Sequence, residues 1–171
     1  MTLLEIDLKK LEYNYFSLRE RLNPNSKMIG VIKANAYGSV ASSIAEKLVR
    51  LGIEALAVAY AKEAAQLRQI GIKVPILVFY PQLENFNNII HHNLEPVLYS
   101  KKSWGKFAES VREEKKAAYP IHIKYNTGLN RIGFHPDEAN WVLEEISNAP
   151  FEVKSIYSHL GQTESPKPDA E

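Results

Sequence analysis

Apolar and polar positions follow a regular rhythm near the amino terminus, and this rhythm predicts a helix. Asp7 can accept hydrogen bonds from the free N–H groups of a helix that follows it, and Asn23-Pro24 ends the pattern. Between these points, apolar side chains recur at steps of three and four: Leu8, Leu11, Tyr15, Leu18 and Leu22. The spacing predicts an amphipathic helix with one apolar face.

The rest of the chain alternates short apolar runs with segments of helical spacing. Strands are predicted at 28–32, 55–59, 75–79, 95–98, 121–125 and 153–159. Helices are predicted between Ala41 and Gly52, and at 61–70, 86–90, 103–116 and 138–146. Repeated strand–helix–strand units favour a parallel sheet, which is either doubly wound or closed into a (β/α)8 barrel. Periodicity leaves both architectures open.

Length and composition narrow the class of protein. A complete barrel takes about 250 residues, whereas this chain has 171, so a barrel would be incomplete. The polar, proline-broken tail Pro166–Glu171 is predicted to be a loop after the last strand. With 45% hydrophobic and 24% charged residues, the chain is expected to be a soluble globular domain.

Charge and cysteine content exclude several kinds of partner. The net charge is +1, so no basic excess indicates nucleic acid or an anionic membrane. Cysteine is absent, which excludes disulfides and thiolate metal sites and is compatible with the cytoplasm. Charged residues interrupt the first sixteen positions, which argues against a signal peptide or membrane span. Adjacent His91 and His92 cannot both face one ion from a regular helix, so no metal is expected.

Lys33 is a candidate for amine chemistry because it stands where the first predicted strand gives way to a loop, Ala34–Gly38. Parallel α/β folds place catalytic groups at the carboxyl ends of strands. Strand alternation puts Lys33 on the face of Ile29 and Val31, and such neighbours would desolvate its ammonium and favour the nucleophilic amine. The alternative is a solvated lysine at a strand end.

A second polar group of residues follows the fifth predicted strand. Alternation places His122, Lys124 and Asn126 on one face, whereas parallel strands are normally apolar on both faces. Two explanations are open: an edge strand that faces water, or a site at the mouth of a barrel. His159 ends the last predicted strand, where a lone histidine is more often structural than catalytic.

Several segments resemble alanine racemases. Residues 31–38, VIKANAYG, are similar to the family's pyridoxal phosphate attachment motif. LEIDL at 4–8, KYNTGLNRIGF at 124–134 and YSHL at 157–160 resemble the same family in the same order. The resemblance implies an α/β fold: an incomplete (β/α)8 TIM-type barrel with about six parallel strands. Residues 1–171 would then be a partial N-terminal cofactor-binding domain without the family's C-terminal β domain.

The resemblance also implies catalytic and cofactor-binding residues. The counterpart of Lys33 holds pyridoxal phosphate covalently and acts as one of two bases at the substrate Cα. Tyr37 matches a ligand of the cofactor phosphate. Arg131 matches the catalytic arginine beside the cofactor's phenolic oxygen and the substrate carboxylate. These matches imply pyridoxal 5'-phosphate as cofactor and L- or D-alanine as substrate.

Further matches lie in the second half of the chain, together with departures from the family pattern. Lys124 matches a lysine that is often carbamylated and orients the arginine, and His159 matches a histidine close to the cofactor ring. Leu129 replaces a methionine that acts through its backbone amide, so the change is expected to be tolerated. Asn126 replaces an aspartate, and Ser39-Val40 stands where the family often has His-Gly.

The resemblance implies a cytoplasmic, homodimeric isomerase that supplies D-alanine for peptidoglycan. The family's second base is a tyrosine from the C-terminal domain of the partner subunit, so the 171-residue chain is expected to be inactive alone. Some relatives are fused to a cell-wall ligase. Alternatives are a non-racemising pyridoxal phosphate-binding barrel, another amino-acid racemase or decarboxylase of the same fold, and an inactive piece that self-associates through open strand edges.

Overall fold

The computed structural model describes residues 2–161, so the loop predicted at Pro166–Glu171 lies outside the described residues. The chain divides into two compact units, an amino-terminal unit, Met1–Tyr80, and a carboxy-terminal unit, Pro81–Glu171. Within the described residues each unit has three strands, and the strands pair in parallel. The α/β fold class and the expected number of strands are confirmed.

The amino-terminal unit is a three-stranded sheet with helices between the strands. Its elements in chain order are α1 (Leu8–Arg19), β1 (Ile29–Val31), α2 (Lys33–Tyr37), α3 (Ala41–Leu51), β2 (Ala55–Val58), α4 (Ala61–Gln69) and β3 (Ile76–Val78). Strand β2 lies between the other two and is buried along its whole length. A side chain at Gly30 would come within 2.8 Å of Leu48 Cδ1, so α3 packs closely against β1.

Helix α1 begins as predicted and ends earlier. Asp7 Oδ1 accepts the N–H groups of Lys9 and Lys10, the second and third residues of the helix, at 2.8 and 3.2 Å. The helix ends at Arg19, so Leu22, which was predicted to share its apolar face, lies outside it. Tyr15 is buried on that face, whereas Leu18 is 55% exposed. The apolar face of α1 is therefore narrower than the sequence spacing predicts.

The carboxy-terminal unit repeats the parallel arrangement with an aromatic core. Its elements are α5 (Phe86–His91), β4 (Glu95–Leu98), α6 (Lys101–Glu113), β5 (Tyr119–Lys124), α7 (Ala139–Ile146) and β6 (Phe151–Tyr157), with 3-10 turns at Leu83–Asn85 and Pro136–Glu138. Trp104 and Phe107 are almost completely buried. Phe151 packs edge-on to Trp104, with ring centres 5.1 Å apart. Among residues 2–161, no helix has the length and apolar character needed to cross a bilayer.

A register shift in β6 determines which of its residues faces His122. Strand β5 lies between β4 and β6, and Ile121 is opposite Val153. The next pair joins His122 to Ser155, so Lys154 is the extra residue of a β-bulge. The bulge therefore places a serine hydroxyl, rather than a lysine, beside the histidine.

Candidate active site

The candidate site of the amino-terminal unit is the segment α2, which begins one residue after β1. Lys33 is half-buried, and its Nζ lies 5.9 Å from the centre of the Tyr37 ring. Tyr37 is 67% exposed, so its hydroxyl is open to a ligand. The structure thus brings together the two residues that were predicted to hold the cofactor from this end of the chain.

The backbone of α2 is left-handed, which the sequence reading did not anticipate. Ala34 to Tyr37 have φ between 52° and 55°, the mirror image of an ordinary helical turn. Each non-glycine residue in this conformation costs roughly 1–2 kcal/mol. Such strain persists only where surrounding contacts hold the backbone. Asn35 supplies one of them, because its Oδ1 accepts the N–H of Ala41 at 2.8 Å, where α3 begins.

The apolar shielding predicted for Lys33 is not present. Ile29 is 46% exposed and Val31 is 40% exposed, so these neighbours leave their own surfaces in solvent. The prediction was wrong because it assumed that the face shared by the three residues is covered. The left-handed turn, rather than apolar burial, is what distinguishes the surroundings of Lys33.

The candidate site of the carboxy-terminal unit surrounds Lys124 at the end of β5. Lys124 is only 4% exposed, and its Nζ lies 5.7 Å from the centre of the Tyr157 ring. Burial lowers the pKa of this lysine, and the positive charge of Arg131 lowers it further. Burial also raises the pKa of the Tyr157 hydroxyl, which keeps the phenol neutral. Lys124 therefore combines a buried amine with a nearby cation and a neutral ring.

The loop after β5 holds Arg131. Asn126 Nδ2 donates to Asn130 Oδ1 at 2.9 Å, and the N–H of Asn130 donates back to Asn126 Oδ1 at the same distance. This pair of hydrogen bonds closes the loop without the carboxylate that the resemblance implies at position 126. Arg131 is exposed and Leu129 is half-buried. The loop is compact, and it presents the guanidinium group to solvent.

His122 has a partner on each side, which explains the polar face of β5. Its Nε2 lies 2.9 Å from Glu95 Oε2 on β4, and its Nδ1 lies 2.7 Å from Ser155 Oγ on β6. The edge-strand explanation is wrong, because β5 is central and His122 is 4% exposed. A carboxylate and a hydroxyl on the neighbouring strands satisfy both ring nitrogens. Sequence reading missed this array because it crosses three strands and depends on the bulge.

His159 follows β6 and is exposed. The adjacent Ser158 fixes the backbone at this point, because its hydroxyl donates to the carbonyl of Tyr125 at 3.0 Å. The carboxyl ends of β5 and β6 are thereby joined beside Lys124 and His159. Within the described residues, no group of three or more metal-ligating side chains comes together.

Each unit of this α/β protein thus has its own lysine: Lys33 lies on a left-handed turn after the first strand, and Lys124 is buried near Arg131. Residues 6–171 match the family model described as alanine racemase, N-terminal domain. The chain therefore belongs to the alanine racemase N-terminal domain family.

Individual relatives agree with this assignment. The alanine racemase of Clostridium kluyveri is 39% identical over 160 residues, which cover 91% of this chain and 40% of that protein. The solved alanine racemase of Clostridium difficile 630 has a TM-score of 0.86 and 30% identity, covering 91% of this chain and 41% of that one.

A third relative was solved with its cofactor bound. Alanine racemase from Bartonella henselae, solved with covalently bound pyridoxal phosphate, has a TM-score of 0.81 and 27% identity, covering 92% of this chain and 46% of that one. The chain spans less than half the length of the relatives that it matches. The match identifies the fold as part of the family's N-terminal barrel domain, so the expected incomplete barrel is confirmed.

Proposed function

We propose that the whole protein is an alanine racemase that uses pyridoxal phosphate, with Lys33 as the lysine that holds the cofactor. The observation that carries the proposal is the position of Lys33, a half-buried amine on a left-handed turn, within a chain of this family. The Bartonella henselae relative has the same cofactor bound covalently. The D-alanine that the whole protein produces would serve peptidoglycan synthesis in the cytoplasm.

The residues present suit pyridoxal phosphate chemically. Lys33 provides the primary amine for the aldehyde, and the exposed hydroxyl of Tyr37 can donate a hydrogen bond to the phosphate. Arg131 would offer a planar, cationic guanidinium to the phenolic oxygen and the substrate carboxylate. His159 would lie close to the ring, and the backbone N–H of Leu129 would bind substrate. The cofactor, when bound, supplies the electron sink that makes the alanine Cα–H acidic.

Lys33 would also act as one of the two bases at the alanine Cα. Its amine removes or returns a proton on one face, and racemisation needs a second group on the other face. We assign that group to the part of the protein beyond this chain, on a homodimer partner. The 171-residue chain alone is therefore expected to show no racemisation. Measurable D-alanine production by the purified chain would contradict this assignment.

Lys124 is proposed to carry a carbamate. Its lowered pKa increases the fraction of neutral amine, which can attack carbon dioxide, form an N–C bond and release one proton to water. The new carboxylate would replace a repulsive neighbour of Arg131 with an attractive one. The modified lysine would then hold the guanidinium in place for the substrate carboxylate.

Trapping the attached cofactor tests the central assignment. The full-length protein is mixed with pyridoxal phosphate, reduced with borohydride and digested, and peptide masses locate the modified lysine. Lys33→Ala should abolish attachment and lower kcat at least about 100-fold, whereas Lys27→Ala, at an exposed lysine before β1, should change neither. Attachment at another lysine, or none in the wild type, would overturn the proposal.

A further inference from the structure

Glu63 links the turn that carries Lys33 to the next strand and helix of the amino-terminal unit. Its Oε1 accepts the N–H of Ala34 at 2.6 Å. Its Oε2 accepts the N–H groups of Ala59 and Tyr60, at 2.9 and 3.0 Å. One carboxylate therefore accepts from three backbone donors in two different segments of the chain, and one of these donors, Ala34, is the residue directly after Lys33.

Two of the three hydrogen bonds have an ordinary local explanation. Glu63 is the third residue of α4, and a glutamate at that position commonly reaches back to the N–H groups that precede its own helix. The bond to Ala34 is different, because it spans 29 positions of sequence and adds nothing to the start of α4. Its effect falls on α2 instead.

The N–H of Ala34, the second residue of α2, needs such an acceptor. Initial N–H groups of a helical turn have no partner within the turn, and this turn is also left-handed from Ala34 to Tyr37. Asn35 fastens the segment to α3 through the N–H of Ala41. Glu63 fastens its beginning to α4. Two side chains thus hold the strained turn at the adjacent residues Ala34 and Asn35.

We propose that Glu63 is a positioning residue for the cofactor lysine, which sets the direction of Lys33 and Tyr37 by holding the N–H of Ala34. The proposal rests on the proposed function. An ionised carboxylate accepts stronger hydrogen bonds than a neutral group, which suits it to hold a backbone that prefers another conformation. A cavity of about 360 Å³ borders Glu63 and Asn35, so no side chain packed there would replace the carboxylate if it were shortened.

Substitution separates the two roles of the carboxylate. Glutamine keeps one oxygen but replaces the other with an N–H2 group, so Glu63→Gln cannot accept from both Ala34 and the pair at Ala59 and Tyr60. Glu63→Asp keeps both oxygens on a shorter side chain and is suited to the start of α4, but it is too short to reach Ala34 as well. Glu63→Asp should therefore preserve the start of the helix and release the turn. Glu63→Gln should do the same, because its single oxygen can accept from two donors, Ala59 and Tyr60, on one side and from only one, Ala34, on the other.

Glu138 provides a matched control. Its Oε2 accepts the N–H of His135 at 2.9 Å, which is the same local reach at the start of a 3-10 turn in the other unit. Glu138→Gln therefore perturbs a comparable cap without a bond to α2. A purely capping role for Glu63 predicts that Glu63→Gln and Glu138→Gln behave alike.

The experiment measures pyridoxal phosphate affinity, borohydride-trapped attachment at Lys33 and hydrogen exchange of the peptide covering residues 33–38, all in the full-length protein. Glu63→Gln and Glu63→Asp should weaken cofactor binding about ten-fold or more, lower kcat more than they raise KM, and speed exchange in 33–38. Glu138→Gln should leave all of these unchanged. Unchanged exchange and affinity in both Glu63 variants would overturn the proposal.

The exchange measurement also separates this proposal from the proposed function. It is made without cofactor, so it reports on the hydrogen bond between Glu63 and Ala34 even if the wild type attaches no pyridoxal phosphate at Lys33. Suppose that the Glu63 variants exchange faster in 33–38 but the wild type attaches no cofactor. Glu63 would then still hold the turn, and its role in cofactor binding would be rejected. If Glu63→Gln fails to fold, the same comparison is made between Glu63→Asp and Glu138→Gln.

Discussion

The Nζ of Lys124 lies 5.7 Å from the centre of the Tyr157 ring, in a part of β5 that is almost closed to solvent. A cation over an aromatic face is stabilised by about 0.5–2 kcal/mol. The pKa of Lys124 is nevertheless lowered, so burial and the repulsion from Arg131 outweigh the ring. The unmodified ammonium is therefore a net cost to the folded state.

Lys124→Met should stabilise the isolated chain at neutral pH by about 1 kcal/mol or more, because it removes a buried charge and keeps the length of the side chain. The folded-state pKa of Lys124 lies below its ordinary value of 10.5, so the unfolded chain binds the extra proton between the two values. The stability of the wild type should therefore rise with pH through that window. Urea denaturation of both proteins should show that the difference in their free energies of unfolding is smaller above pH 10.5 than at pH 7.

Bicarbonate is the control for this prediction. Carbamylation would neutralise the repulsion with Arg131, so added bicarbonate should raise the unfolding temperature of the wild type and leave Lys124→Met unchanged. An equal response of the two proteins would show that the effect of bicarbonate does not arise at Lys124.

Val40 has a φ of 61° and ψ of 86°, although β-branched residues rarely adopt positive φ. The resemblance to alanine racemases implies a glycine at this position, and glycine accepts positive φ without strain. Val40→Gly should relieve about 1–2 kcal/mol of strain in the folded state. The greater freedom of glycine in the unfolded state should offset roughly 0.5–1 kcal/mol of this gain. A small rise in unfolding temperature, of about 2–4 °C per kcal/mol gained, is expected.

Val40→Ala is the matched variant, because alanine loses the valine methyl groups but still requires positive φ. Its stability should stay within about 0.5 kcal/mol of the wild type. Val40 is 39% exposed, so little packing is lost in either variant. Equal unfolding temperatures for the glycine and alanine variants would contradict the strain at Val40.

Sequence patterns anticipated the parts of the fold that depend on local spacing. The strands near Lys33 and Lys124 were placed correctly because apolar runs bounded by polar loops are local signals. The left-handed turn was missed, since Ala34 to Tyr37 contain no glycine and alanine favours a right-handed helix. One of the contacts that hold it comes from a carboxylate 29 positions further along the chain, which no local pattern reveals.

In the candidate site of the carboxy-terminal unit, too, local patterns did not reveal contacts between residues that are distant in sequence. Alternation identified the polar residues of β5 and suggested either exposure to water or a functional site. It did not reveal that Glu95 and Ser155 are the hydrogen-bond partners of His122. Those partners depend on strand order and on a bulge of one residue in β6. A shift of one residue would have placed Lys154 beside the histidine. Register of this kind is a tertiary property, so the sequence indicated His122 without its explanation.

Ser155→Ala should destabilise the protein by about 1–3 kcal/mol, because it leaves the buried Nδ1 of His122 without its hydroxyl partner. Ser110→Ala provides the comparison, since its exposed hydroxyl donates to the carbonyl of Lys106 at 3.2 Å. That change should stay within about 0.5 kcal/mol. Chemical denaturation of the two variants should separate them, and similar values would mean that water replaces the Ser155 hydroxyl.

Gly133 and Gly105 should respond in opposite directions to the same added methyl group. Gly133 has a φ of 138°, and a Cβ there would lie 2.5 Å from the backbone nitrogen of Asn126. Gly133→Ala should therefore cost about 2 kcal/mol or more and displace the loop that holds Arg131. Gly105 lies inside α6 with open space around it, so Gly105→Ala should gain about 0.5–1 kcal/mol. Denaturation midpoints give both values, and a mild effect at Gly133 would mean that the loop backbone can move away from Asn126 at little cost.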